Sequence, residues 1–408
     1  MQASFGVMRA PRAVIFGEGQ RRVLGKVLSH IGKRVLICTD KRFASSDTML
    51  ELLDNLAQHG LSVELFDETL AELPLSSITR CVQRVGNSLP QVVVGIGGGS
   101  CMDMAKLVSL LLTHEGPIDR FYGEFKVPGP VMPIVAVPTT AGTGSEVTPV
   151  AVLADDTRDL KVGISSPHLI PHTAICDPEL TVTCPPGLTA LSGADALTHA
   201  VEAFTAIAHA PTPELSQQRV FVGKNVLSDQ FALSAIEDLF RYLPIAVKEG
   251  SDLIARSKVM KGALLAGLAF GSAGTSLAHA IQYPIGALTH TAHGLGVATL
   301  LPYVMGFNAS ACRPEFEAIG RAIGVIDEDR GGLGSQAIRQ IQAMLAKIGI
   351  PSTLKDLGLQ EEKIQWVAEQ SMLAGRLINN NPRSVTAEDI GQLLRHAYHG
   401  NLLVHGNH

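Results

Sequence analysis

An aspartate and a histidine, Asp195 and His199, stand four residues apart in the segment Gly193-Ala194-Asp195-Ala196-Leu197-Thr198-His199-Ala200-Val201-Glu202. The segment is rich in Ala and Leu, has no Pro and has no Gly after Gly193, so it predicts a helix. Side chains at i and i+4 share one helix face, with Cβ atoms about 5–6 Å apart. Two ligands on one rigid turn can grip one metal ion. The same spacing also makes an ordinary Asp–His hydrogen bond on a solvated face. Farther on, His279, His290 and His293 cluster in a region otherwise poor in histidine. Pro284 and Gly286 predict that the helix carrying His279 stops there. The chain then folds back and brings His293 in at the start of the next helix, where Gly294 permits close approach.

A second chemistry is written in two loops. Gly95-Ile96-Gly97-Gly98-Gly99-Ser100 follows an apolar strand and precedes a helix predicted over 102–112. Consecutive glycines let backbone N–H groups approach a phosphate, and a helix start adds positive partial charge. A plain strand-to-helix turn needs one or two glycines, not three. The run departs from the GxGxxG fingerprint. The other loop runs from Pro138 to Thr148 and presents Thr139, Thr140, Thr143 and Ser145. Its hydroxyls suit a pyrophosphate or a ribose, although such a loop can also simply bridge domains. Asp40 ends its strand where a carboxylate could accept from a ribose 2′-hydroxyl and would repel a 2′-phosphate, which favours NAD over NADP. Asp67, at the end of the next strand, competes for that role.

The elements that must position these residues alternate in the first half. Apolar, β-branched runs at 12–17, 34–38, 61–66, 91–96 and 132–137 read as strands, with helices at 19–30, 48–59 and ahead of residue 91. This alternation predicts a parallel sheet covered by helices on both faces. From Pro185-Pro186-Gly187 onward the pattern is helical: 188–206, 229–249, 252–270, 277–286, 314–322, 334–348, 361–374 and 386–398. Thr386 and Asp389 have capping-box spacing. The expected organisation is an α/β domain over 1–186 and an all-helical domain over 187–408, with 212–229 a loop or short lid.

At 408 residues, two domains are the prior. A formal net charge of −5 with no Lys/Arg block argues against nucleic-acid or anionic-membrane partners. Six scattered cysteines without CxxC spacing read as buried thiols of a reduced, cytoplasmic chain. The start lacks a signal-peptide pattern. The uncharged run 263–281 is rich in Gly, Ala and Ser and contains His279, so it reads as a tightly packed helix and not a membrane span.

Together these motifs resemble the iron-containing, group III alcohol dehydrogenase family over essentially the whole chain. The resemblance is carried by Gly97-Gly98-Gly99-Ser100 with Asp103 and Lys106, by 138–148, and by 193–202. It continues from His279 through His293-Gly294 to Leu301-Pro302, and in Asn381-Pro382-Arg383. It implies a Rossmann-like nucleotide-binding domain, an all-helical metal domain of dehydroquinate-synthase-like architecture, and catalysis in the cleft between them. Matched position by position, it implies Asp195, His199, His279 and His293 as metal ligands. That donor set suits Fe(II), with Zn(II) able to take the same place. Lys161 resembles a family position near the cofactor and reads equally well as a surface lysine.

One departure stands out. Many family members carry a second histidine four residues after the position of His279, and this chain has Tyr283. Tyrosine, with an ordinary pKa of about 10, is a poorer proton shuttle at neutral pH. His290 is the alternative imidazole. The expected activity is hydride transfer between NAD and a small alcohol, its aldehyde or a hydroxyacid, in a cytoplasmic homodimer or larger homo-oligomer. Its rivals are a hydroxyacid–oxoacid transhydrogenase and, at greater distance, a dehydroquinate-synthase-like lyase.

Overall fold

The computed structural model describes residues 5–86, 88–155, 160–326 and 332–403. Its strands are β1 (Ala13–Phe16), β2 (Arg34–Cys38), β3 (Ser62–Phe66), β4 (Val92–Gly97), β5 (Gly123–Glu124), β6 (Ile134–Pro138), β7 (Val150–Asp155), β8 (Leu160–Ser165) and β9 (Thr173–Cys176). Six of them form one sheet in the order β1-β9-β6-β4-β2-β3, with every pair of neighbours parallel. β4 and β6 are buried along their whole length, as apolar runs covered on both faces must be.

Alternate residues of β2 supply two separate cores. Leu36 and Cys38 pack with Ile78, Cys81, Met104 and Leu107. Val35 and Ile37 pack with Leu24, Leu28, Leu52 and Leu56 on the other face. The covering helices are α1 (Leu24–Ser29), α3 (Asp47–Gln58), α4 (Leu75–Val85) and α5 (Gly99–Thr113), with the single turn α2 (Lys41–Ala44) following β2. The chain runs outward from β2 to β3, then returns to place β4 on the opposite side of β2. That reversal opens a crevice at the carboxyl ends of β2 and β4.

This sheet belongs to a unit made of Arg9–Thr183 and Ser216–Val220. Three features of it were not anticipated. Residues 20–30 are a 3-10 turn (Gln20–Val23) followed by α1, where one helix was expected. β9 joins the sheet between β1 and β6. The antiparallel pair β7/β8 forms, with β5, a second small sheet.

The second unit comprises the N-terminal residues up to Met8, Cys184–Leu215 and the chain from Phe221 onward. Its helices are α6 (Pro186–Phe204), α8 (Val226–Lys248), α9 (Leu253–Ala273), α10 (Leu277–Thr289), α11 (His293–Asn308), α12 (Arg313–Ala322), α13 (Gly332–Lys347), α14 (Ile364–Ser371), α15 (Gly375–Asn379) and α16 (Ala387–His399), while the single turn α7 (Leu215–Gln218) falls at the boundary, with all but its first residue in the sheet unit. α6 is buried on all sides from Gly193 to Phe204, so small residues set how closely its neighbours pack. A Cβ on Gly193 would lie 2.3 Å from Leu243 Cδ1 of α8.

The Thr386–Asp389 capping box forms as expected. Within 212–229, α7 and the start of α8 replace part of the expected loop. The expected stop at Pro284 does not occur. α10 runs through Pro284 to Thr289, because Ile281, Pro284 and Ile285 are all buried and their packing outweighs the lost backbone bond. The run 263–281 is likewise two helices, α9 and α10, bent by 102° at Gly274. Among the described residues no single helix is long and apolar enough to cross a membrane.

Candidate metal centre and nucleotide loops

α6 carries Asp195, His199 and Glu202 along one stripe at i, i+4 and i+7. α10 contributes His279 from its first turn, and α11 opens on His293. The Nε2 atoms of His199, His279 and His293 lie 3.6, 3.8 and 4.0 Å from one oxygen, Asp195 Oδ1. These separations are too long for hydrogen bonds. Each is a distance that two donors sharing one ion can span, since apices of a tetrahedron with bonds of about 2.1 Å lie about 3.4 Å apart and opposed donors about 4.2 Å. Donor atoms of Asp195, His199 and His279 all fall within 4.8 Å of one another. These three residues are 4–5 % exposed, so water does not solvate the group freely.

His279 is oriented from behind. Its Nδ1 donates to Glu202 Oε2 at 2.6 Å, which leaves Nε2 with a lone pair, no hydrogen-bond partner among the described residues and a direction into the cluster. The same carboxylate accepts from Ser276 N at 2.8 Å and Ala278 N at 2.6 Å, at the start of α10. Burial alone would raise the Glu202 carboxyl, but the His279 imidazole and these N–H groups hold it below its ordinary value. His199 stacks on Phe270 of α9, with ring centroids 4.3 Å apart. Gly294 brings α11 against α6: a Cβ there would lie 2.4 Å from Leu191 O and 3.2 Å from Asp195 Cβ. Sequence reasoning missed Glu202 and Phe270 as partners of this group. The i, i+4, i+7 stripe was the available signal for Glu202.

Tyr283 lies on the same helix as His279, one turn on, and its ring centroid is 6.5 Å from that of His293. Burial pushes its phenol above 10. His290 is exposed at the C-cap of α10, in left-handed backbone (φ 54°), and its N–H bonds Gly286 O. Among the described residues no ring contact joins His290 to the other imidazoles.

In the sheet unit, Gly97 closes β4, Gly98 is the N-cap of α5, and Gly99 and Ser100 open the helix, with no side chain capping it. The Thr loop packs onto this turn: a Cβ on Gly99 would lie 2.6 Å from Thr143 Cγ2, and one on Gly98 3.6 Å from Thr140 Oγ1. Thr139 N donates to Gly97 O. Asp40 stands across the crevice, where its Oδ2 would be 3.7 Å from a Cβ on Gly97. Its Oδ1 caps α2 by accepting from Phe43 N at 3.0 Å. The structure thus assembles Asp40, the glycine run and the threonines at the sheet's reversal point.

Asp103 and Ser145 face inward. Ser145 Oγ donates to Asp103 Oδ1 at 2.6 Å, and Val152 N donates to Oδ2 at 3.0 Å. Buried Lys106 donates to Thr148 O, Thr148 Oγ1 and Val150 O, which fastens the far end of the Thr loop. Burial pushes Lys106 down to about 8 and Glu146, beside it, up to about 7. Lys161, on β8, is ion-paired with Glu72.

Comparison with known proteins places the chain among oxidoreductases acting on CH–OH groups. The model of the family described as iron-containing alcohol dehydrogenase matches residues 11–178, and that of the C-terminal region of the Fe-containing alcohol dehydrogenase family matches 189–398. The chain belongs to the iron-containing alcohol dehydrogenase family, as its motifs suggested. It is 32% identical to long-chain-alcohol dehydrogenase 1 of Geobacillus thermodenitrificans (strain NG80-2), over 94% of this chain and 98% of that protein. It is 33% identical to the NAD-dependent methanol dehydrogenase of Bacillus methanolicus, over 95% and 98%. A solved structure of 1,3-propanediol oxidoreductase superposes with a TM-score of 0.89 at 32% identity, covering 97% of this chain and all of that one.

Proposed function

We propose that this protein is an NAD- and metal-dependent alcohol dehydrogenase and aldehyde reductase. The carrying observation is the convergence of three imidazole Nε2 atoms on Asp195 Oδ1, with His279 Nδ1 already taken by Glu202 and its Nε2 left to ligate. Asp195, His199, His279 and His293 would hold Fe(II), or Zn(II) in its place. A bound ion supplies Lewis-acid polarisation of a substrate oxygen, and NAD accepts the hydride.

In the oxidative direction an alcohol loses a hydride from its carbinol carbon and a proton from its hydroxyl, giving aldehyde, NADH and one proton. The chain's own part is to bind and orient. Gly97, Gly98, Gly99 and Ser100 offer backbone N–H groups at a helix start to the pyrophosphate. Asp40 receives a ribose hydroxyl. Thr139, Thr140 and Thr143 line the same crevice, while Asp103 and Ser145 hold their loop in place. Tyr283, one helical turn beyond His279 and 6.5 Å from the His293 ring, would contact the substrate hydroxyl. Lys161 and His290 stay peripheral in this reading. A small alcohol or hydroxyacid as substrate, a homo-oligomeric state and a cytoplasmic location belong to the same proposal.

A panel of alcohols and hydroxyacids, assayed for NADH absorbance at 340 nm with metal analysis of the same sample, tests it. NADH formation from at least one alcohol is expected. Turnover only between hydroxyacid and oxoacid pairs, without added NAD, would replace the proposal with a transhydrogenase.

A further inference from the structure

We propose that Glu202 is a positioning residue for the metal centre, and that it sets which nitrogen of His279 is available as a ligand. The inference rests on the metal reading above and adds a residue to it. Glu202 is 1% exposed and sits one helical turn beyond His199 on α6. Its two oxygens take three N–H donors: Ser276 N, Ala278 N and His279 Nδ1. A carboxylate accepts from all three without itself donating, whereas any neutral replacement either loses an acceptor or opposes a donor with a donor.

The consequence is specific. With Nδ1–H committed to Glu202, His279 carries its lone pair on Nε2, the atom 3.8 Å from Asp195 Oδ1. Such a carboxylate behind a ligating imidazole fixes the tautomer and ring direction and raises ligand basicity. The backbone bonds to Ser276 and Ala278 tie the first turn of α10 to α6. The rigid turn that supplies Asp195 and His199 therefore also fixes where His279 starts.

The test compares wild type, Glu202→Gln, Glu202→Asp and His279→Ala. Affinity for Zn(II) is measured by competition with a chromophoric chelator, the visible spectrum of the Co(II)-loaded protein is recorded, and apo-protein melting is followed separately. Glu202→Gln is expected to weaken Zn(II) binding 10- to 100-fold and to change the Co(II) spectrum. Glu202→Asp, which keeps the charge but withdraws it by one methylene, is expected to recover part of both. His279→Ala should lose more than either. Loss in His279→Ala with wild-type affinity and spectrum in both Glu202 variants overturns the role of Glu202 alone. Wild-type affinity in His279→Ala overturns the metal reading itself. A fall in apo melting temperature with unchanged Zn(II) affinity and Co(II) spectrum makes Glu202 a structural residue only and also overturns the inference.

Discussion

Replacing Gly294 by alanine should damage the metal centre without touching a ligand. The new Cβ would stand 2.4 Å from Leu191 O and 3.2 Å from Asp195 Cβ. A carbon–oxygen contact relaxes at about 3.3 Å, so α11 must withdraw from α6 by about 1 Å. Leu191 O is backbone in the middle of α6 and cannot swing aside as a flexible side chain would. His293, the preceding residue, moves with α11, and its Nε2 is already 4.0 Å from Asp195 Oδ1. A further 1 Å gives about 5 Å, beyond the roughly 4.2 Å that two bonds of about 2.1 Å can span even when opposed. Overpacking costs about 1–3 kcal/mol, and replacing Gly in a helix returns about 1 kcal/mol. The apo protein should therefore lose at most about 2 kcal/mol, while Zn(II) affinity falls by more than about tenfold, the lower bound for losing mere outer support of a ligand. Chelator competition reads the affinity, and thermal unfolding of the apo protein reads the stability. Unchanged affinity and an unchanged melting temperature would refute the close-packing argument.

Glu146 and Lys106 make a prediction about pH. The Glu146 carboxyl rises from 4.5 to about 7 on folding, so the native state binds more protons in that window and stability falls as pH rises through it. The Lys106 amine drops from 10.5 to about 8, so stability recovers from about pH 8 upward. Glu146→Gln removes the first limb. Its stability relative to wild type, read from thermal unfolding at each pH, should climb between pH 5 and 8, with a ceiling of about 3 kcal/mol, and a pH-independent difference would contradict the burial argument. Asp40→Ala should weaken discrimination for NAD against NADP, read from the ratio of kcat/KM values. It should also cost about 1 kcal/mol through loss of the cap on α2. Unaltered cofactor preference would remove Asp40 from the ribose site.

The parts of the fold that were legible are those where burial writes itself into local sequence. Val92–Ile96 and Val35–Cys38 carry no polar side chain on consecutive positions because both faces of β4 and β2 are covered there, and that pattern needs no partner to be recognised. β9 was not legible: Thr173–Cys176 is four residues long, follows Pro171, and gains its strand character from β1 and β6 on either side. The helix through Pro284 shows tertiary packing overriding a local stop signal. In the site, Asp195 and His199 could be paired from spacing alone because a helix makes i and i+4 neighbours. Glu202 sits in the same stretch, yet its partners Ser276, Ala278 and His279 are 74 to 77 residues away, and no local pattern records such contacts.

The central claim, that this chain oxidises alcohols through a metal held by Asp195, His199, His279 and His293, is most directly tested by stripping and restoring the ion. NADH formation from the best alcohol of the panel would be followed after exhaustive chelation, then during titration with Fe(II) under anaerobic conditions or with Zn(II). The account predicts loss of activity on stripping, and recovery that saturates at one equivalent of metal per chain in wild type but not in His279→Ala. Full turnover by protein shown to be metal-free would contradict it.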